Sequence, residues 1–510
     1  MNDKPKTKWL WRLSRWGLAG LAGIVTLVAV VVTEENWRGK RAWENYKQQA
    51  AAKGEQLDRI AFTTDTFSDE QNFTKSPIFS RLAATEWDPK ERGWELDGYR
   101  SMMRTTRSDG TFPKKMSGDW TRASLTDLKG WQQYYRTPPT NSAGEFPIAP
   151  QPQSPAADIL LALSKYDQTI EALRLASQRP HSRFADDYDA NDSKTISLLL
   201  TYLGELKSCC FVVQLRALAE LADGQTAKAF DDVKLLLRLN DTLRQEPLVI
   251  AHLVSLATMS ITMQPIYEGL AQHQWSEAQL AELEKKLTLK DFLADYPKAM
   301  RGERAFAIGS LENQRLTREY KMLDNSSGTN KITTVSFRLT PGAFFYQNEL
   351  SFARLHEQFC LPLVDLEKRV ASPAVARRAD AAVHDSMRHY NPYKILALMT
   401  FPAISKSVVK FAIIQAQVDL ACVACALERH HLARGGYPEA LDALVPQFIE
   451  KLPHDIINGR PLHYRLTDAG QFVLYSVGWN EADDGGQVAL TKSGLLDREK
   501  GDWVWRYPTR

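Results

Sequence analysis

The chain has 510 residues, a 44% apolar fraction and a formal charge of +3, which is ordinary for a globular protein with room for two or three domains. Five basic residues and one acidic residue fall within the first fifteen, so the remainder is close to neutral and lacks the basic footprint of a nucleic-acid binder. Five cysteines in a chain of this length exclude a disulfide scaffold.

Residues 16–33 form an eighteen-residue run without a charge, long enough to cross a ~30 Å hydrocarbon core when its flanks reach the headgroups. Trp9, Trp11 and Trp16 on one side and Trp37 on the other supply interfacial aromatics. Lys4, Lys6, Lys8, Arg12 and Arg15 precede the run and Glu34 and Glu35 follow it, which predicts a cytoplasmic N-terminus and an exported remainder. A cleaved signal peptide fits less well, because the run is long and no small-x-small site closes it. Gly17, Gly20 and Gly23 could let two such helices approach closely, although glycine is common in spanning helices anyway.

The expected organisation is a cytoplasmic basic tail at 1–15, a transmembrane signal anchor at 16–33 and a stem helix at 34–58. An irregular region with a proline-rich linker (59–154), a helical body (155–404), and a long helix with a small head (405–510) follow. Trp37, Ala42, Trp43 and Tyr46 share one face of the stem. Residues 62–154 are punctuated by Asp, Ser, Thr and Gly, and their scattered tryptophans (Trp87, Trp94, Trp120, Trp131) argue for order against some other surface. In the body, residues 194–222 and 226–239 carry helical apolar periodicity on either side of Asp223-Gly224. Such helix–turn–helix pairs build bundles and α-solenoids. No fixed period marks a repeat array. Ser276-Glu277-Ala278-Gln279 is a capping box. Residues 248–263 read as a buried central helix, on which His252 is a core histidine. Residues 405–434 form a long helix whose Gln415, Gln417 and Asp419 argue against a second span, since a central Asp costs ~2.5–3.5 kcal/mol on insertion scales.

From Gly435 the pattern changes. Leu441, Leu444 and Val445 give a short helix, and residues 462–466 and 471–477 alternate as two strands joined by Thr467-Asp468-Ala469-Gly470. The fold class expected for the whole chain is mainly α: a single N-terminal transmembrane helix, a bundle- or solenoid-like body, and a small C-terminal α+β head with an antiparallel sheet.

That last stretch resembles the head of type II secretion major pseudopilins. The likeness is carried by Gly436-Tyr437-Pro438, Leu441 and Leu444, Asp455, Gly459, Pro461, Tyr464, Tyr475-Ser476-Val477-Gly478, Asp484-Gly485-Gly486 and Gly501-Asp502-Trp503. It covers about the last hundred residues. The phrases ALERHHLARGGYPEALDALVP and LYSVGWNEADDGG also resemble a family of large membrane-anchored proteins of verrucomicrobial and planctomycete type, to which no activity attaches. The pseudopilin likeness implies calcium in the loop after the last strand, with Asn480, Asp483, Asp484, Asp497 and Asp502 as candidate ligands and Glu481 nearby. Oxygen donors at ~2.3–2.6 Å suit that ion. Asn480 stands where that family often has Asp. A pilin also carries its assembly helix directly before the head, with a glutamate early in it; here the anchor lies far upstream and lacks that glutamate.

Catalytic signatures are incomplete. His356-Glu357-Gln358-Phe359-Cys360 opens like a zincin helix but ends in Cys. Ser407-Val408-Val409-Lys410 fits S-x-x-K without the companion S-D-N. Cys422-Val-Ala-Cys425 has redox spacing but lies inside an apolar helix rather than at a helix N-terminus. His430 and His431 are adjacent on a helix and so do not face one another; charge near the helix C-terminus is their expected role. The function expected is that of a membrane-anchored, exported scaffold or interaction protein without catalytic residues. Its partners would be the lipid bilayer and envelope or secretion proteins, with no nucleic acid. The alternative is an envelope hydrolase with its site in the helical body.

Overall fold

The computed structural model describes residues 6–62, 66–79, 102–107, 116–138, 144–184, 193–318, 338–388, 391–398 and 406–508. Trp87 and Trp94, and most of the polar loop expected around residues 324–341, lie outside them. The fold is mainly helical with a small antiparallel sheet region at the C-terminus.

The apolar run and the stem lie on one continuous helix, α1 (Lys6–Ala52). No helix-breaking residue separates them, so the backbone ladder runs through. The two parts differ in what they touch. Leu18, Leu21, Ile24, Leu27 and Val30 are exposed, whereas Trp43, Tyr46 and Ala50 are buried against Ile308, Leu350 and Ala353. Gly39 lets α1 come close to α10 (Gly342–Leu355): a Cβ there would sit 3.3 Å from the Cα of Ala343. Asn36 Oδ1 accepts the backbone N–H of Ala343 at 2.7 Å, so the stem satisfies a donor that the first turn of α10 leaves open.

Between them lie α2 (Leu128–Arg136), α3 (Pro155–Leu163), α4 (Asp167–Ala176), α5 (Ser193–Ala222), α6 (Thr226–Leu243), α7 (Val249–Ala271), α8 (Glu277–Thr288) and α9 (Phe292–Thr317). α5 and α6 form the hairpin read around Gly224, which has φ +75°. The capping box closes at both ends: Ser276 Oγ accepts from Gln279 N, and Gln279 Oε1 accepts from Ser276 N. α2 was not anticipated. It is mostly polar and buries Trp131 and Tyr135 alone, an i, i+4 pair too sparse to register as periodicity.

After α10 the chain makes a wide turn at His356–Cys360, then two-residue strands β1 (Val364–Asp365) and β2 (Val370–Ala371), then α11 (Pro373–Met387). α10 therefore ends at Leu355. Helix α12 (Ser407–Arg434) is the hub, packing on α7, α8, α9 and the head. Its polar residues are mostly matched by protein. Asp419 takes both Nη atoms of Arg369 at 3.0 Å, and Gln415 Oε1 accepts Phe292 N at 2.6 Å.

Four helices among the described residues are long and apolar enough to cross a membrane: α1, α5, α7 and α12. None of the apolar window of α1 is buried, against 94% of that of α12.

The head holds the three-stranded antiparallel sheet β3 (His463–Leu466), β4 (Phe472–Ser476) and β7 (Trp503–Arg506), in the order β3-β4-β7. A hairpin of β5 (Val488–Leu490) and β6 (Leu496–Gly501) stands beside it. Leu474 pairs with both Tyr464 and Trp505. Asp455 is buried beneath, accepting from Ile457 N, Ser476 Oγ and Val477 N at 2.9 Å each.

Candidate functional site

The acidic loop after β4 is built on Asp502, at the corner between β6 and β7. Asp502 is fully buried. Its Oδ2 accepts Gly486 N at 2.7 Å and its Oδ1 accepts Asp484 N at 3.3 Å, so one carboxylate pins the turn. Burial raises its pKa above the usual carboxylate range, and these backbone donors oppose the rise. Asp483 Oδ1 accepts Gly485 N at 2.9 Å and the Tyr475 hydroxyl at 3.0 Å, and its pKa is lowered by those two bonds in that order. Asn480 Nδ2 donates to Asp484 Oδ2 at 2.8 Å. Glu481 pairs with Arg377 of α11 at 2.5 Å. Asp497 lies five residues before Asp502 on β6, about 16 Å along an extended strand, and accepts Glu499 N at 3.1 Å. The loop thus gathers Asn480, Asp483, Asp484 and Asp502, while Asp497 faces a different surface.

That surface is a groove of 840 Å³ between the body and the head hairpin. Leu253, Leu256, Ile413 and Ile414 line its apolar side, and Lys207, Lys410, Asp497 and Glu499 also line it. A smaller depression of 570 Å³ lies among α4, α5 and α6. Its carboxylates are largely committed to arginines: buried Asp232 accepts from Arg216 Nε at 2.7 Å, Arg216 Nη2 at 2.6 Å and Arg174 Nη2 at 3.0 Å. Glu220 Oε2 is buried without a partner beside them.

A third cluster joins body and head. His273, in the turn between α7 and α8, places Nδ1 2.6 Å from Glu428 Oε1 on α12. One turn on, His431 Nδ1 lies 3.9 Å from the same oxygen. The Tyr437 hydroxyl donates to Glu428 Oε2 at 2.8 Å. The rings of His273 and His431 stack with centroids 5.1 Å apart, and Tyr437 stacks on His431 at 4.8 Å. Glu428 is 1% exposed while both imidazoles remain partly accessible. The adjacency of His430 and His431 concealed this arrangement. His430 turns away, its Nδ1 2.8 Å from the carbonyl of Gly436. The available signal was the i, i+3 pair Glu428/His431, which shares one helix face; His273 is 155 residues from Glu428 in sequence and carried no local signal.

The remaining motif residues stay apart. His356 and Cys360 are buried, and burial raises the Cys360 thiol pKa far above its ordinary value. Cys422 and Cys425 are also buried, within α12. Compared with protein-family models, with curated proteins and with solved structures, the chain matches none.

Proposed function

We propose that this protein is a single-pass inner-membrane protein whose extracytoplasmic body serves as a scaffold or docking surface, with the N-terminus in the cytoplasm. The observation that carries the reading is the division of α1: its apolar window is wholly exposed, while the same helix continues into the body as a packed element. An exposed apolar surface of that length needs an apolar solvent. Burial of the other three apolar helices by 56%, 72% and 94% supports their assignment to the protein interior. Arg15 over the Trp11 ring and Arg41 over the Trp37 ring frame the run at headgroup depth. The partners in this reading are the bilayer and envelope or secretion proteins, not nucleic acid.

The pseudopilin-like head and its calcium belong to the same proposal. Asp484, whose Oδ2 accepts from Asn480, and Asp483 have oxygens to offer an ion; Asp502 serves as the pin.

Removal of residues 1–33 tests the anchor. It spares Asn36 and every packed residue of the stem. The full chain is expected in the carbonate-resistant membrane fraction and the truncated chain in the soluble fraction with unchanged helicity. Protease added outside spheroplasts is expected to digest the body. A full chain that washes off membranes, or a body left intact, overturns the reading.

The hydrolase alternative draws specific support from the unpartnered Glu220 oxygen in the depression lined by Asp167, Glu171 and Asp231. Hydrolysis abolished in Glu220→Gln without loss of folding would establish it.

A further inference from the structure

We infer that His273, Glu428 and His431 form a binding site for one divalent transition-metal ion of zinc type, joining the α7–α8 turn to the end of α12. Their donor atoms all lie within 4.8 Å of one another. Two imidazole nitrogens and one carboxylate oxygen suit Zn²⁺ and its borderline neighbours, whereas Ca²⁺ and Mg²⁺ take oxygen. Bonds of ~2.0–2.1 Å in tetrahedral geometry put ligand atoms roughly 3.4 Å apart. The 2.6 Å contact between His273 and Glu428 must therefore open and the 3.9 Å contact of His431 must close. Both shifts are within reach of side-chain rotation on partly exposed rings.

Three further features fit. Glu428 is a buried carboxylate that pairs with no lysine or arginine among the described residues, its partners being His273, His431 and Tyr437. A metal ion would supply the positive charge that no lysine or arginine brings to this carboxylate. The Tyr437 hydroxyl holds the far carboxylate oxygen, the outer hydrogen bond that orients a metal-binding carboxylate. His273 also sits in the left-handed region at φ +54°, closing α7 through Gln274 N to the carbonyl of Gly269 at 2.8 Å. α5 and α12 close with glycine in this region, Gly224 and Gly435, and α9 with Arg318 at φ +57°. A histidine there accepts backbone strain of about 1–2 kcal/mol, and such strain concentrates at functional positions. Three protein ligands leave the fourth position of a tetrahedral ion for water.

The test uses the full chain in detergent, stripped with a chelator and titrated with Zn²⁺ against a chromophoric competitor. One tight equivalent is expected. His273→Asn, which tolerates the left-handed backbone, and His431→Ala should each weaken it by at least about 100-fold, and Tyr437→Phe by about 10-fold. His430→Ala, one residue away, should leave it unchanged. Co²⁺ loading should give the visible absorption of a nitrogen–oxygen tetrahedral site in the wild type and lose it in His273→Asn. No tight equivalent in the wild type, or equal affinity in His273→Asn and His430→Ala with both folded by circular dichroism, overturns the site.

Discussion

Arg304 Nη2 meets Glu55 Oε2 at 2.6 Å, three residues beyond the end of α1. Arg304 is 1% exposed, so this contact brings the chain leaving α1 onto a guanidinium held inside the body. Arg301 shares the same carboxylate from a more exposed position. Removing Glu55 leaves the buried Arg304 charge unmatched, a loss of about 3–5 kcal/mol for a broken buried pair. Glu55→Ala is therefore expected to lower the melting temperature of the detergent-solubilised protein markedly. Arg301→Ala should cost no more than about 1 kcal/mol, as exposed pairs do. Burial works against ionisation of Glu55, but the hydrogen bonds from Arg301 and Arg304 outweigh it and hold its pKa below the usual value. Its contribution is therefore present above about pH 4.5 and fades as pH falls through the lowered value.

His356 is buried against Phe352, the ring centroids 4.6 Å apart. Burial, reinforced by the charge of Arg304, lowers its pKa to about 3. The unfolded chain protonates this group near pH 6.5, so between about pH 3 and 6.5 the unfolded state binds the extra proton and stability rises with pH. Acidification from pH 7 to pH 5 should remove about 2 kcal/mol through this residue. His356→Leu should escape that loss. Urea unfolding of both proteins at the two pH values measures it; parallel losses would mean that His356 is protonated in the fold.

Asp484 is the residue of the acidic loop whose removal separates an ion-binding role from a structural one, because Asp502 already supplies the loop's backbone acceptor. Millimolar calcium is expected to raise the melting temperature of the wild type and to have no effect on Asp484→Ala. Asp502→Ala should destabilise the head with or without calcium, since the buried Gly486 N–H loses its acceptor at about 1–3 kcal/mol. A wild type indifferent to both calcium and chelator would make the loop a turn only.

What the sequence made legible follows from the range of the interactions. The exposed apolar run, the Gly224 hairpin, the Ser276 capping box and strands β3 and β4 are each set by residues within about ten positions, so periodicity and turn chemistry reveal them. β7 and the β5–β6 hairpin were not anticipated. Leu496–Gly501 reads LDREKG and shows no alternation of apolar and polar residues; its pairing is decided by the partner strand. α1 was divided because composition changes at Glu34, although nothing there breaks a helix. Asn480, Asp483 and Asp484 come together because they are neighbours in sequence, whereas Asp502 is brought to them by the β6–β7 corner. His273 and Arg304 were silent because their partners lie far along the chain.

Gly478 offers the sharpest test of the head's geometry. It follows β4 at φ +68°, and a Cβ there would lie 2.3 Å from the carbonyl oxygen of Gly501, at the corner that positions Asp502. Gly485 has nearly the same backbone, φ +72°, but a Cβ there would meet nothing within 4 Å. Gly485→Ala should therefore cost only the left-handed penalty of about 1–2 kcal/mol. Gly478→Ala adds a clash with backbone that no rotamer relieves. It should cost about 3 kcal/mol or more in total, the range of a substitution that forces the fold apart. Thermal melts of the two variants separate the contributions, and equal losses would mean that β4 and the β6–β7 corner do not approach this closely.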